Sequence, residues 1–109
     1  MLDSGSQDAA GMKIEFRDQR LALIGTERAA ETKLPFTVIK SCREKLIVLA
    51  AAPDERTLRN WRSLHYEKLK GEREGQRSIR LNNQWRLVFE LHDTQTPPAI
   101  VILAVEDYH

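Results

Sequence analysis

The sequence has little that carries covalent, redox or metal chemistry. A single cysteine, Cys42, stands in a chain of 109 residues. That excludes an internal disulfide and a cysteine zinc cluster, and leaves a reduced thiol in a core as the plain expectation. The three histidines, His65, His92 and His109, are too dispersed to read as a metal site. No phosphate loop, dinucleotide glycine fingerprint or His-Glu-x-x-His motif occurs, so no cofactor is expected. No apolar run approaches the roughly 20 residues of a membrane span. Residues 1–10 lack the basic end and apolar stretch of a signal peptide. Together these features predict a cytoplasmic protein with no membrane partner.

What is present fits one globular domain. Hydrophobic residues make up 41% and charged residues 30% of the chain, a balance that supports one modest core. Residues 1–11 read as a flexible extension and residues 12–109 as the domain. Net charge is only +1, so the whole-molecule balance names no polyanionic partner. The distribution says more. Between Arg56 and Glu90, nine Lys and Arg face four Glu, which leaves that stretch at +5. From Leu91 onward there are Asp93, Glu106 and Asp107 and no Lys or Arg. This asymmetry predicts a basic patch on a nearly neutral body.

Hydrophobic periodicity orders the elements. Lys13-Ile14-Glu15-Phe16 alternates as a half-buried strand does. Asp18 is placed to cap a short helix ending near Gly25, and residues 26–33 read as a loop. Val38, Ile39, Cys42, Leu46 and Leu49 form one apolar stripe on a helix that starts near Pro35 and stops before Pro53. Asp54 starts a further helical turn through Leu58. Ser78-Ile79-Arg80-Leu81 and Trp85 to Leu91 alternate with period two around Asn82-Asn83, which predicts a hairpin. Ile100 to Val105 is continuously apolar, as a covered strand is. The fold class is α+β, with helices on one face of an antiparallel sheet.

The alternation puts Ile79, Leu81, Leu87 and Phe89 on the core side and Ser78, Arg80 and Arg86 on the other. Lys68, Lys70 and Arg73 lie just before, and Asp107, Tyr108 and His109 emerge from the last strand. A positive sheet surface edged by His and Tyr suits a phosphodiester and acid–base work on it.

Three ordered stretches resemble a known family. They are Leu64-His65-Tyr66-Glu67-Lys68-Leu69-Lys70-Gly71, then Ser78-Ile79-Arg80-Leu81-Asn82-Asn83-Gln84-Trp85-Arg86-Leu87, and the end Glu106-Asp107-Tyr108-His109. Together they resemble the HigB group of RelE/ParE toxins, the plasmid maintenance killer proteins. The resemblance implies a RelE-like fold, two N-terminal helices on a curved antiparallel sheet of about four strands. It implies a type II toxin that cuts messenger RNA in the A site of the 70S ribosome, as a metal-independent endoribonuclease. Its implied partners are the ribosome, the messenger and a HigA-like helix-turn-helix antitoxin, through which it would meet operator DNA.

By that resemblance His65 and His109 are the acid–base candidates, with Asp107 and Tyr108 assisting. Arg86 stabilises the phosphorane, and Lys68, Lys70, Arg73, Arg77 and Arg80 hold the RNA. Two other readings stay open. One is a ParE-like inhibitor of DNA gyrase. The other is a catalytically silent co-repressor that only binds the antitoxin.

Overall fold

The apolar stripe folds as helix α1, Phe36–Ala51, in the computed structural model, which describes residues 11–107. Residues 1–10, most of the expected extension, lie outside the described residues, as do Tyr108 and His109. The Pro35 carbonyl accepts from the Val38 and Ile39 amides, both at 3.0 Å. This is the fixed-φ helix entry the sequence suggested. Val38, Ile39, Cys42 and Leu49 are buried. Burial pushes the Cys42 thiol up to about 12, so it stays protonated and inert. Helix α2, Glu55–Asn60, is capped by Asp54, whose Oδ1 accepts from the Thr57 amide at 2.9 Å.

The helix expected from Asp18 to Gly25 is instead a short 3-10 turn, Leu21–Gly25, and a second such turn, Ala29–Thr32, interrupts the expected loop. Four apolar residues before a glycine are too few to repay helix nucleation. The segment is held by tertiary contacts instead. Leu21, Ile24 and Ala29 enter the core, and the Arg43 guanidinium donates to the carbonyls of Ile24 (2.7 Å) and Thr26 (2.9 Å).

The sheet has five strands: β1 Lys13–Phe16, β2 Glu67–Lys68, β3 Gln76–Arg80, β4 Trp85–His92 and β5 Ala99–Asp107. Their order is β1-β5-β4-β3-β2. It differs from an all-antiparallel sheet of about four strands in two ways. First, β1 runs parallel to β5, with Lys13 opposite Ala99; the helices carry the chain between the two strands, so the crossover that parallel pairing demands is available. Second, β2 is only two polar residues long, too short to leave an alternation in the sequence.

The hairpin forms as read. Asn82 Oδ1 accepts from the amides of Gln84 and Trp85, both at 2.8 Å. Ile79, Leu81, Leu87 and Phe89 join Ile100 and Ile102 in the core beneath the helices. Val88 pairs with Ala104 but Phe89 with Ile102, so Leu103 is the extra residue of a bulge that bends β5.

Gly11 sits where α1 ends. Its φ is +92°, and a Cβ built there would lie 2.3 Å from the Ala50 carbonyl oxygen. That oxygen accepts from the Met12 amide at 3.0 Å. Gly11→Ala is expected to cost about 1–3 kcal/mol, through both a strained backbone and a backbone clash. Denaturant unfolding of the variant measures it, and an unchanged midpoint refutes the close approach.

Candidate functional site

The face of the sheet away from the helices carries a row of charge across three strands. Arg80 on β3 stands opposite Arg86 on β4, and Arg86 stands opposite Glu106 on β5. In the next row Glu67, Ser78, Val88 and Ala104 align. Like charges placed directly opposite on adjacent strands repel, and Glu67 and Glu106 offset part of the charge on the Arg86 side of the pair.

Arg86 is held in place. It is only 7% exposed. Its Nε donates to Ser78 Oγ at 2.9 Å, and its NH2 donates to the His65 carbonyl at 2.6 Å. The Glu67 carboxylate lies 3.7 Å away. The planar fork of a guanidinium suits such a multi-point clamp. Arg80 is half-buried and has no hydrogen bond or ion pair among the described residues. Arg73, in the 3-10 turn Gly71–Arg73, donates to Glu106 at 2.6 Å. A third guanidinium is thereby brought to the same row.

His65 is exposed at the rim of this face. It ends the turn Arg62–Leu64 in the left-handed region, with φ +49°. Buried Leu64 anchors one side of it, and the Arg86 bond to its carbonyl anchors the other. Asp107 lies across from Trp85 at the end of β5 and accepts from Gln84 Nε2 at 2.9 Å. The His65 carbonyl thus meets the clamped arginine, whereas Asp107, as register partner of core-packed Trp85, falls on the helix side of the alternation at the end of β5. Tyr108 and His109 lie outside the described residues.

Two of the expected RNA-holding cations are elsewhere. Arg77 pairs with Phe89, on the helix side. Its Nε donates to Glu55 Oε2 (3.2 Å) and to the Tyr66 hydroxyl (3.1 Å). Lys68 is 3.9 Å from the same Glu55 oxygen. The Tyr66 hydroxyl donates to Glu55 as well. Burial pulls the Glu55 carboxyl upward, but the bonds from Tyr66 and Arg77 outweigh it and hold it below the usual carboxylate range. Burial and the Glu55 charge push the Tyr66 phenol up. Lys70 is exposed and, with Lys68 and Arg77, lines an open cleft of about 560 Å³ at the β2 edge. Among the described residues no group of three His, Cys, Asp or Glu is placed to hold a metal ion.

Sequence reasoning did not single out Glu67, Gln84, Glu106 or Glu55 for roles here. Glu106 was within reach of the alternation rule, given the pairing of β4 with β5. Glu55 left no signal, because its partners are 11 and 22 residues away.

Comparison with known proteins now bears on this geometry. The family described as RelE-like toxin of the type II toxin–antitoxin system HigB matches residues 14–109. The chain is 33% identical over 82 residues to Toxin HigB-1 of Vibrio cholerae, covering 75% of this chain and 86% of that one. Among solved structures it is similar to a mutant of YafQ from E. coli, with TM-score 0.60, 16% identity, and coverage of 88% of this chain and 92% of the other. It is also similar to a chain of the heterotetrameric YoeB–YefM toxin–antitoxin complex from Staphylococcus aureus, with TM-score 0.52, 25% identity and coverage of 92% and 99%.

Proposed function

From the premise that this chain belongs to the HigB-like, RelE-like toxins of type II toxin–antitoxin systems, we propose that it cuts messenger RNA in the ribosomal A site. The observation that carries the reading is the Arg80–Arg86 pair, two guanidiniums opposed on adjacent strands with Arg86 clamped by Ser78 and the His65 carbonyl.

The chemistry follows from what RNA offers. The neighbouring 2′-hydroxyl is the nucleophile, so the protein supplies a base for its proton, an acid for the departing 5′-oxygen and cations for the crowded phosphorane. Arg86 is the phosphorane cation, because it is preorganised. Arg80 and Arg73 hold the flanking phosphates, and Lys70 extends the positive rim. His65 and His109 are the acid–base pair, suited by an imidazole that titrates near neutrality. Asp107 orients a histidine, and Tyr108 stacks on a base or donates a proton. Lys68 and Arg77, committed to Glu55, add positive potential from the far side of the sheet rather than contact.

The proposed partners are the 70S ribosome with its messenger, and a HigA-like antitoxin with a helix-turn-helix domain. Support for an antitoxin comes from the similar YoeB chain, whose complex holds YefM. Primer extension on a defined messenger, with and without programmed ribosomes, tests the activity. Cleavage at A-site codons only when ribosomes are present is expected, and it should be lost in His109→Ala. No cleavage by folded wild-type protein overturns the reading. Inhibition of DNA supercoiling in its place would assign the chain to gyrase.

A further inference from the structure

Three arginines take no part in anything described above. Arg56 and Arg59 stand three residues apart on α2, which sets them side by side on one flank of the helix. Arg62 opens the turn that follows. All three are exposed. Among the described residues, none of the three guanidiniums has a hydrogen bond or a carboxylate within 4.0 Å. Asp54 caps the helix through Thr57 and, still charged, offsets part of the charge of Arg56 and Arg59 at longer range. Arg56 and Arg59 share a cleft with Asp54, Glu55 and Asp93, and Arg62 follows beyond the helix end. Trp61, which lies between Arg59 and Arg62 in the chain, is 45% exposed.

We propose that Arg56, Trp61, Arg59 and Arg62 form a second RNA-binding site, one that grips the backbone of a folded RNA and stacks Trp61 on an unpaired base. Guanidinium forks match phosphate oxygens. An exposed indole stacks on any base. The whole chain carries only +1, so attraction to a polyanion has to come from a local patch such as this. The strand being cut is not its ligand. Helix α2 packs on the core side of the sheet through buried Leu58, whereas Arg80 and Arg86 face the other way. A single strand lying across the charge row does not reach both. The two sites are linked by the chain itself, because the turn that begins at Arg62 ends at His65, whose carbonyl holds Arg86.

The choice of RNA among polyanions rests on the proposed RNA-cutting function, but its test does not need cleavage. The probe is a labelled RNA hairpin of about 20 nucleotides with a four-base loop, titrated by fluorescence anisotropy at several salt concentrations. Arg56→Ala/Arg59→Ala/Arg62→Ala should weaken binding at least tenfold at 50 mM salt and reduce the salt slope by about 2–3. The corresponding triple Lys variant should keep the slope. Trp61→Ala should lose about tenfold in affinity with the slope unchanged. Lys40→Ala, an exposed cation on α1, should match wild type. Unchanged hairpin binding in the triple Ala variant overturns the proposal. So does a wild-type protein that ignores the hairpin and instead binds a Glu-rich peptide through these arginines, since the patch then faces a protein. If the cutting function is the part that fails, wild-type protein leaves ribosomal messenger intact while the hairpin results hold.

Discussion

Arg86→Ala should lose at least 10²–10³-fold in the single-turnover rate of cleavage on programmed ribosomes. That is the scale of removing one preorganised donor from a charge-stabilising site. Arg86→Lys should fare little better. An ammonium keeps the charge but lacks the fork that reaches Ser78 Oγ and the His65 carbonyl together, so its charge is not fixed where it is needed. Both variants should also unfold at lower denaturant, by about 1–3 kcal/mol, because they strip a buried partner from Ser78 and from the His65 carbonyl. Reading rate and stability side by side separates the two effects. A fully active Arg86→Lys would refute the clamp as the catalytic device and leave only a requirement for charge.

The largest effect on folding should come from Glu55, which lies on the opposite side of the sheet. One of its carboxylate oxygens receives Tyr66, Arg77 and Lys68. Glu55→Ala leaves a half-buried guanidinium and a phenol without their acceptor, and should cost about 2–4 kcal/mol in denaturant unfolding. The pH dependence has a definite sign. The Glu55 carboxyl titrates below its ordinary value, because the bonds from Tyr66 and Arg77 overcome the upward pull of burial. A depressed carboxylate contributes stability above its unfolded pKa of about 4.3, and that contribution fades as the pH falls through the lower folded value. Glu90, held low by His92 and Arg17, shares this direction. The difference between wild type and Glu55→Gln isolates the Glu55 share. It should be constant above about pH 5 and shrink in acid. A difference that does not change with pH would refute the ion pair.

The sequence was most legible where local rules suffice. Alternation around Asn82-Asn83 placed Ser78, Arg80 and Arg86 on one face, and β3 and β4 pair that way. The same rule also contained the answer for Arg77. Period two seats it with Ile79 on the helix side. Grouping it with its neighbours by charge set that aside. Lys68 follows it there because the two residues are register partners. Other features were out of reach. The parallel pairing of β1 with β5 joins residues more than eighty positions apart, and no local pattern encodes it. The short turns between Leu21 and Thr32 depend on Arg43 reaching back to the Ile24 and Thr26 carbonyls, and no helix-capping signal announces that.

The contact between Arg86 and residue 65 is made to a main-chain oxygen, and this separates two things that evolution would otherwise change together. A carbonyl is the same whatever side chain its residue bears. To hold Arg86, position 65 needs only a residue at ease with positive φ, where asparagine and glycine would present the carbonyl as well as histidine. The side chain at the rim is then open to drift, and with it whatever it offers to the substrate, while the buried cation keeps its station. Lineages of such a protein can re-tune how they meet RNA one rim residue at a time, without first surviving the loss of their central charge.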